Sequence, residues 1–227
     1  MIEPQTWVAD ALARMKKAFG PRLAYLGLQG SYRRGEATET SDIDLVVLLD
    51  TVEPVDLDIY RSIVHALPEG HKACGFCSGT EEFFHWPRHE LLPFSMDTDD
   101  YYGRLKDFLP PLSLSQEDAR AGAKIGASAL LHLLTHSYLY AEPEARTAIL
   151  KDAYKAAFFV MQVVYYLASG QYCRSKKELL ACLDGAEKEI LQAGLDVPAW
   201  LAAHTETQAF ALLRGWCGGV LTGNESV

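Results

Sequence analysis

A glycine-serine pair and two aspartates lie close together near the start of the chain. Gly30 and Ser31 follow one apolar stretch, and Asp42 and Asp44 open a second one, eleven positions after Ser31. Backbone N–H groups at a glycine-serine turn that begins a helix can approach phosphate oxygens. A pair of carboxylates can bind a hard cation that is itself bound to substrate phosphates. The spacing therefore predicts a site for a nucleoside triphosphate held on metal ions.

Two strands are needed to position these motifs. Residues 23–31 and 43–49 are apolar and have the length of strands, and we expect residues 33–39 to form a short helix between them. Side chains alternate across a strand with a period of two, so Asp42 and Asp44 leave the same face. The alternative is a polar turn in which one aspartate caps local structure and the other is solvated.

The pattern of Gly-Ser, short helix and Asp-x-Asp resembles the nucleotidyltransferase superfamily that includes DNA polymerase beta. Within it, the closest resemblance is to the small bacterial enzymes typified by the kanamycin and other aminoglycoside nucleotidyltransferases. The matching positions are Gly30, Ser31, Arg34-Gly35, Ser41, Asp42 and Asp44. The resemblance implies that Asp42 and Asp44 are catalytic and hold two Mg²⁺ ions. It also implies that Gly30, Ser31, Arg34 and Ser41 bind the nucleotide, whereas Arg33 is expected on the surface.

A third carboxylate is where this chain departs from the family pattern. The superfamily usually carries one on a neighbouring strand, where it completes a metal site or removes the proton of the acceptor hydroxyl. The strand that we predict near residues 72–78 contains no acid. We expect residues 90–96 to be extended, which makes Glu90 the first candidate and Asp97 the second. Further candidates are Glu81, Glu82 and Asp99. If none serves, the protein is a degenerate member without turnover, such as an antitoxin-like subunit.

The overall composition limits the partners. The chain has 227 residues and a net charge of −9, which disfavours a polynucleotide because basic residues supply most of the affinity for nucleic acid. We see no N-terminal signal and no apolar run of spanning length, so we expect a cytoplasmic protein that does not enter a membrane. The expected partners are a nucleoside triphosphate and a hydroxylated acceptor, either an aminoglycoside-like small molecule or a protein. The sequence leaves open whether the protein forms a homodimer.

The cysteines are ambiguous. There are five, an odd number that argues against a disulfide framework. Cys74 and Cys77 have the spacing of a zinc or redox motif, with His85 and His89 as a second half-site. Residues three apart on a strand face opposite sides, however, so we interpret both thiols as buried packing residues.

The sequence pattern changes near residue 108 from alternating strands and helices to helices alone. We therefore predict two domains, 1–107 and 108–227. The first is an α/β (α+β) nucleotidyltransferase domain with a mixed sheet, and it includes helices over Pro4–Phe19 and residues 55–67. The second is an all-α antiparallel bundle of four or five helices. Its expected features are a hinge at Pro110-Pro111, a capping box at Ser115 and Asp118, and helices at Pro143–Ser169, at 176–193 and from Pro198 onward.

Overall fold

The computed structural model describes residues 2–110 and 115–223. The chain divides into two compact units, Met1–Ser113 and Leu114–Val227. The domain limits 1–107 and 108–227 stay a prediction, and the predicted hinge at Pro110-Pro111 falls partly outside the described residues.

Residues 2–110 contain a four-stranded mixed sheet, as predicted, with helices packed on it. The elements are α1 (Pro4–Phe19), β1 (Leu23–Gln29), α2 (Gly30–Arg34), β2 (Ile43–Leu49), α3 (Pro54–His65), β3 (Ala73–Gly79), α4 (Thr80–Phe84), α5 (Arg88–Met96) and β4 (Asp99–Tyr102). The strand order is β3-β2-β1-β4. Strand β1 is antiparallel to β2 and β4, and β2 is parallel to β3.

Strand β2 is buried on both faces of the sheet, which explains its continuous apolar run. Ile43 and every second residue after it pack in a core with α1 and α3. Val46 and Leu48 point the other way and pack with Phe83 of α4 and Leu91 of α5. By the same alternation, Asp44 lies on the face covered by α4 and α5.

An ion pair joins the residue that precedes β1 to the start of α3. The Arg22 guanidinium binds both carboxylate oxygens of Asp56, each at 2.8 Å. Asp56 is only 2% exposed, and its Oδ2 also accepts a hydrogen bond from the Glu53 backbone N–H. These bonds, those from Arg22 foremost, lower the pKa of Asp56 to about 2.

Two expectations for the first unit are wrong, and one of its strands was missed. Residues 90–96 are not extended but belong to helix α5, in which Leu91 and Leu92 are buried and Pro93 is tolerated. Burial of this apolar pair outweighs the one backbone hydrogen bond that the proline removes. The short helix α2 begins at Gly30 instead of residue 33 and ends at Arg34. Strand β4 was not predicted at all, because its acidic sequence lacks the apolar residues typical of strands.

Residues 115–223 are helical. The helices are α6 (Gln116–Tyr140), α7 (Pro143–Ser169), α8 (Lys176–Cys182), α9 (Gly185–Leu195), α10 (Val197–Leu201) and α11 (Glu206–Thr222). The helical second region and the capping box at Ser115 are confirmed. The prediction of a single helix at 176–193 is wrong. Helix α8 ends at Cys182, and α9 begins at Gly185, which has a positive φ of 54°. The described part of this unit therefore has six helices, more than expected.

Two further observations complete the description. None of the helices in the described part of the chain is both long and apolar enough to cross a bilayer. All five cysteines are free. The expectation that both thiols of the Cys74–Cys77 pair are buried is wrong for Cys74, which is exposed on β3, and Cys77 is only half-buried.

Candidate active site

The glycine-serine turn lies directly against the second aspartate. Gln29, the last residue of β1, pairs with Asp44 in the antiparallel register, so Gly30 follows beside it. Gly30 has a φ of 73°, and a Cβ atom there would lie 1.8 Å from Oδ2 of Asp44. Only glycine satisfies both conditions without displacement, because other residues are strained at this φ and would collide with the carboxylate. The tertiary structure thus brings two parts of the predicted motif together.

The two aspartates differ in environment. Asp42 is exposed and immediately precedes β2, whereas Asp44 is half-buried as the second residue of that strand. The turn that leads to them is held by Ser41, whose Oγ accepts a hydrogen bond of 2.8 Å from the Thr38 backbone N–H. Ser31 is half-buried, and its carbonyl accepts the Glu36 N–H at 2.9 Å, which closes α2. The predicted roles of these residues in nucleotide binding stay predictions.

The residues present fit a magnesium ion bound with substrate phosphates. In the described residues, no group of three or more His, Cys, Asp or Glu side chains is arranged to hold a metal. Mg²⁺ usually takes only one or two carboxylates and completes its shell with water and phosphate oxygens. Asp42 and Asp44 supply two such carboxylates. The missing side chain at Gly30 lets the Asp44 carboxylate lie against the turn, since a Cβ there would collide with it.

The third carboxylate does not lie where the sequence suggested. Glu90 is an exposed residue in the first turn of α5, and its Oε2 accepts a hydrogen bond of 2.6 Å from Trp86 Nε1. The premise that Glu90 extends a strand beside the aspartates is therefore wrong. On the neighbouring strand β3, the residue opposite Asp44 in the parallel register is Cys74. The catalytic role of Glu90 itself stays a prediction.

The second candidate, Asp97, forms ion pairs with two arginines. It follows α5 and is 8% exposed, with Oδ1 bound to Arg33 at 3.1 Å and Oδ2 bound to Arg34 at 2.9 Å. The side chain of Arg33 is only 3% exposed, so the expectation of a surface arginine is wrong. Arg34 also binds Glu36 at 3.1 Å. Both guanidiniums thus have carboxylate partners inside the protein, and the expected contact of Arg34 with phosphate stays a prediction.

Sequence reasoning missed this cluster because its members lie far apart in the chain. Arg33 and Asp97 are 64 positions apart, and no local pattern connects them. The adjacent arginines at the end of α2 are the only signal, since two neighbouring cations near a phosphate site need anionic partners or ligands.

Comparisons with known proteins bear on the fold and on the family of residues 8–107. Residues 8–107 match the family model described as "Nucleotidyltransferase domain". The fold is similar to the crystal structure of spectinomycin adenyltransferase AAD(9) from Enterococcus faecialis with ATP and spectinomycin, with a TM-score of 0.58 and 12% sequence identity. The similarity covers 96% of this chain and 99% of that one. A search of curated proteins found no significant match. The resemblance that the sequence suggested is confirmed, and residues 8–107 of this chain form a nucleotidyltransferase domain.

Proposed function

We propose that this protein is a Mg²⁺-dependent nucleotidyltransferase that moves a nucleoside monophosphate, AMP in the first instance, from a nucleoside triphosphate to a hydroxyl group. The observation that carries the proposal is the contact between Gly30 and Asp44, which lie side by side in a domain of this family; we propose that the turn at Gly30 binds phosphate. The fold similarity to an adenyltransferase crystallised with ATP supports the choice of nucleotide.

Each group in the site has a defined task in this reaction. The acceptor oxygen bonds to the α-phosphorus, the bond to the bridging oxygen breaks, and pyrophosphate leaves. Asp42 and Asp44 would hold two Mg²⁺ ions, which when bound neutralise charge on the phosphates. Ser31 and the N–H groups of the turn would bind the β- and γ-phosphates. Glu90, which is exposed on the first turn of α5, stays our proposed base for the hydroxyl proton.

The proposed acceptor is a small hydroxylated molecule that is cationic or neutral. The net charge of −9 favours such a molecule over a polyanion. The structural neighbour is described as acting on spectinomycin, and the proposal extends that class of substrate to this chain. A protein hydroxyl is the second choice of acceptor.

The test is a transfer assay with labelled ATP, GTP, CTP and UTP, Mg²⁺, and a panel of acceptors that includes spectinomycin and aminoglycosides. We expect pyrophosphate release and a labelled acceptor. Asp42→Asn and Asp44→Asn should each lower turnover by about 100-fold or more, since each removes a charged metal ligand. Asp10→Asn is the matched control, because it removes a surface carboxylate that pairs with Arg14 on α1. Full activity in both site variants would refute the assignment.

A second candidate function is nucleotide binding without turnover. It is favoured by one observation, namely that β3 carries Cys74 and no acid next to Asp44. This function predicts Mg²⁺-dependent ATP binding without pyrophosphate release on any acceptor. Cys74→Asp would then place a carboxylate on the neighbouring strand, and a gain of turnover in that variant would support this second function.

A further inference from the structure

The segment that carries the glycine-serine turn is hydrogen-bonded to a segment that is distant from it in the sequence. We call residues 94–99, which run from the end of α5 into β4, the brace. Gln29 Nε2 donates hydrogen bonds to the Phe94 carbonyl at 3.3 Å and to Thr98 Oγ1 at 2.7 Å. Arg33 Nη2 donates to the Met96 carbonyl at 3.3 Å. The residue before the turn and a residue after it are thus both held by the brace.

Asp97 is the central charge of this connection. Its two oxygens bind two different guanidiniums, Arg33 at 3.1 Å and Arg34 at 2.9 Å. The side chain of Asp97 is 12% exposed, that of Arg33 3% and that of Arg34 7%, so water has little access to these ion pairs. Arg33 additionally reaches Asp99, which is half-exposed. Loss of the Asp97 charge would remove a carboxylate partner from both buried guanidiniums. Removal of one partner from a buried ion pair is strongly destabilising.

Helix α2 transmits this constraint to the site. The helix has five residues, with Gly30 and Ser31 at its beginning and both arginines at its end. One helical turn therefore separates the clamped end from the end that lies against Asp44. A shift of the arginines moves the turn relative to the carboxylate that it contacts.

We propose that Asp97 is a positioning residue for the triphosphate of the nucleotide. It fixes α2 on the brace so that the Gly30-Ser31 turn keeps its place beside Asp44. The inference rests on the proposed function, and it removes Asp97 from the candidates for the catalytic base, because both of its oxygens are bound to guanidiniums. Such a residue acts on nucleotide affinity and leaves the chemical step intact.

The test compares Asp97→Asn with the wild type and with Asp10→Asn, which removes a surface ion pair of α1. The measurements are the Kd of Mg·ATP, kcat at saturating nucleotide, and the thermal midpoint. We expect Asp97→Asn to raise Kd about 10- to 100-fold, the usual range for losing a group that orients a ligand, while kcat changes by less than about threefold. Asp97→Glu should restore part of the affinity, and Asp10→Asn should bind like the wild type.

The outcomes separate the alternatives. A role in stability alone would lower the thermal midpoint but leave the Kd of the folded molecules unchanged, and this result would overturn the inference. A loss of kcat with unchanged Kd would overturn it too, since it would make Asp97 the third carboxylate. Should Asp97→Asn not fold, Thr98→Val removes the hydroxyl that binds Gln29 while keeping the shape of the side chain, and it should also raise Kd.

Failure of the proposed function is recognised separately. A wild-type protein that binds no nucleotide would refute that function. Amide hydrogen exchange would then test whether Asp97 positions the Gly30-Ser31 turn. Faster amide exchange over residues 30–36 in Asp97→Asn, but not in Asp10→Asn, would support the positioning of the turn. Equal exchange in both variants would refute it.

Discussion

Replacement of Gly30 by alanine tests the central contact of the site. The new Cβ would lie 1.8 Å from Oδ2 and 2.8 Å from Cγ of Asp44, whereas carbon and oxygen atoms normally approach to about 3.3 Å. The carboxylate or the turn must therefore shift by about 1.5 Å, the difference between the two distances. A non-glycine residue at a φ of 73° also costs about 1–2 kcal/mol in backbone strain.

Gly35→Ala is a matched control for the strain. Gly35 ends α2 at a φ of 70°, close to the φ of Gly30, but a Cβ there has no atom within 4 Å. The strain alone should cost each variant about 1–2 kcal/mol of stability, which lowers the thermal midpoint by about 4–8 °C for a unit of this size, and Gly30→Ala should lose more because its Cβ also collides with Asp44. Only Gly30→Ala displaces the carboxylate of Asp44, our proposed metal ligand, so only this variant should weaken Mg·ATP binding by about 10- to 100-fold.

The assay is Mg·ATP binding by calorimetry, combined with thermal unfolding of each variant. Equal ATP affinities for Gly30→Ala and Gly35→Ala would show that the contact with Asp44 has no part in binding. That result would refute the reasoning on which the proposed site rests, whatever the thermal midpoints are.

Three further predictions follow from individual side chains. Ser31→Ala should weaken nucleotide binding by about 0.5–1.5 kcal/mol, the value of one hydrogen bond, and an unchanged Kd would argue against a phosphate contact. Glu90→Gln should lower kcat by about 100-fold or more and leave Kd unchanged, and wild-type turnover would exclude Glu90 as the base. The stabilising effect of the Arg22–Asp56 pair should be present above the ordinary Asp pKa of 3.8 and lost as pH falls toward 2. Thermal midpoints of the wild type and Asp56→Asn should therefore converge between pH 4 and pH 2, and parallel curves would contradict this.

Much of the fold follows from local patterns in the sequence. Helices α1 and α7 and strand β2 have the limits expected from hydrophobic periodicity and from a proline at the helix starts. The glycine-serine and aspartate motif was sufficient to suggest the nucleotidyltransferase family by resemblance, and the family model confirms this for residues 8–107. These features depend on residues a few positions apart, where propensity and periodicity decide the outcome.

The tertiary structure decided the features that depend on distant residues. Burial against the sheet made α5 a helix in spite of Pro93, and this moved Glu90 off the strand on which it was expected. The antiparallel register of β1 and β2 brought Gly30 against Asp44. Asp97 became the partner of two arginines more than 60 positions away. Packing and ion pairing of this kind depend on which surfaces meet in space, and no local pattern in the chain encodes that meeting.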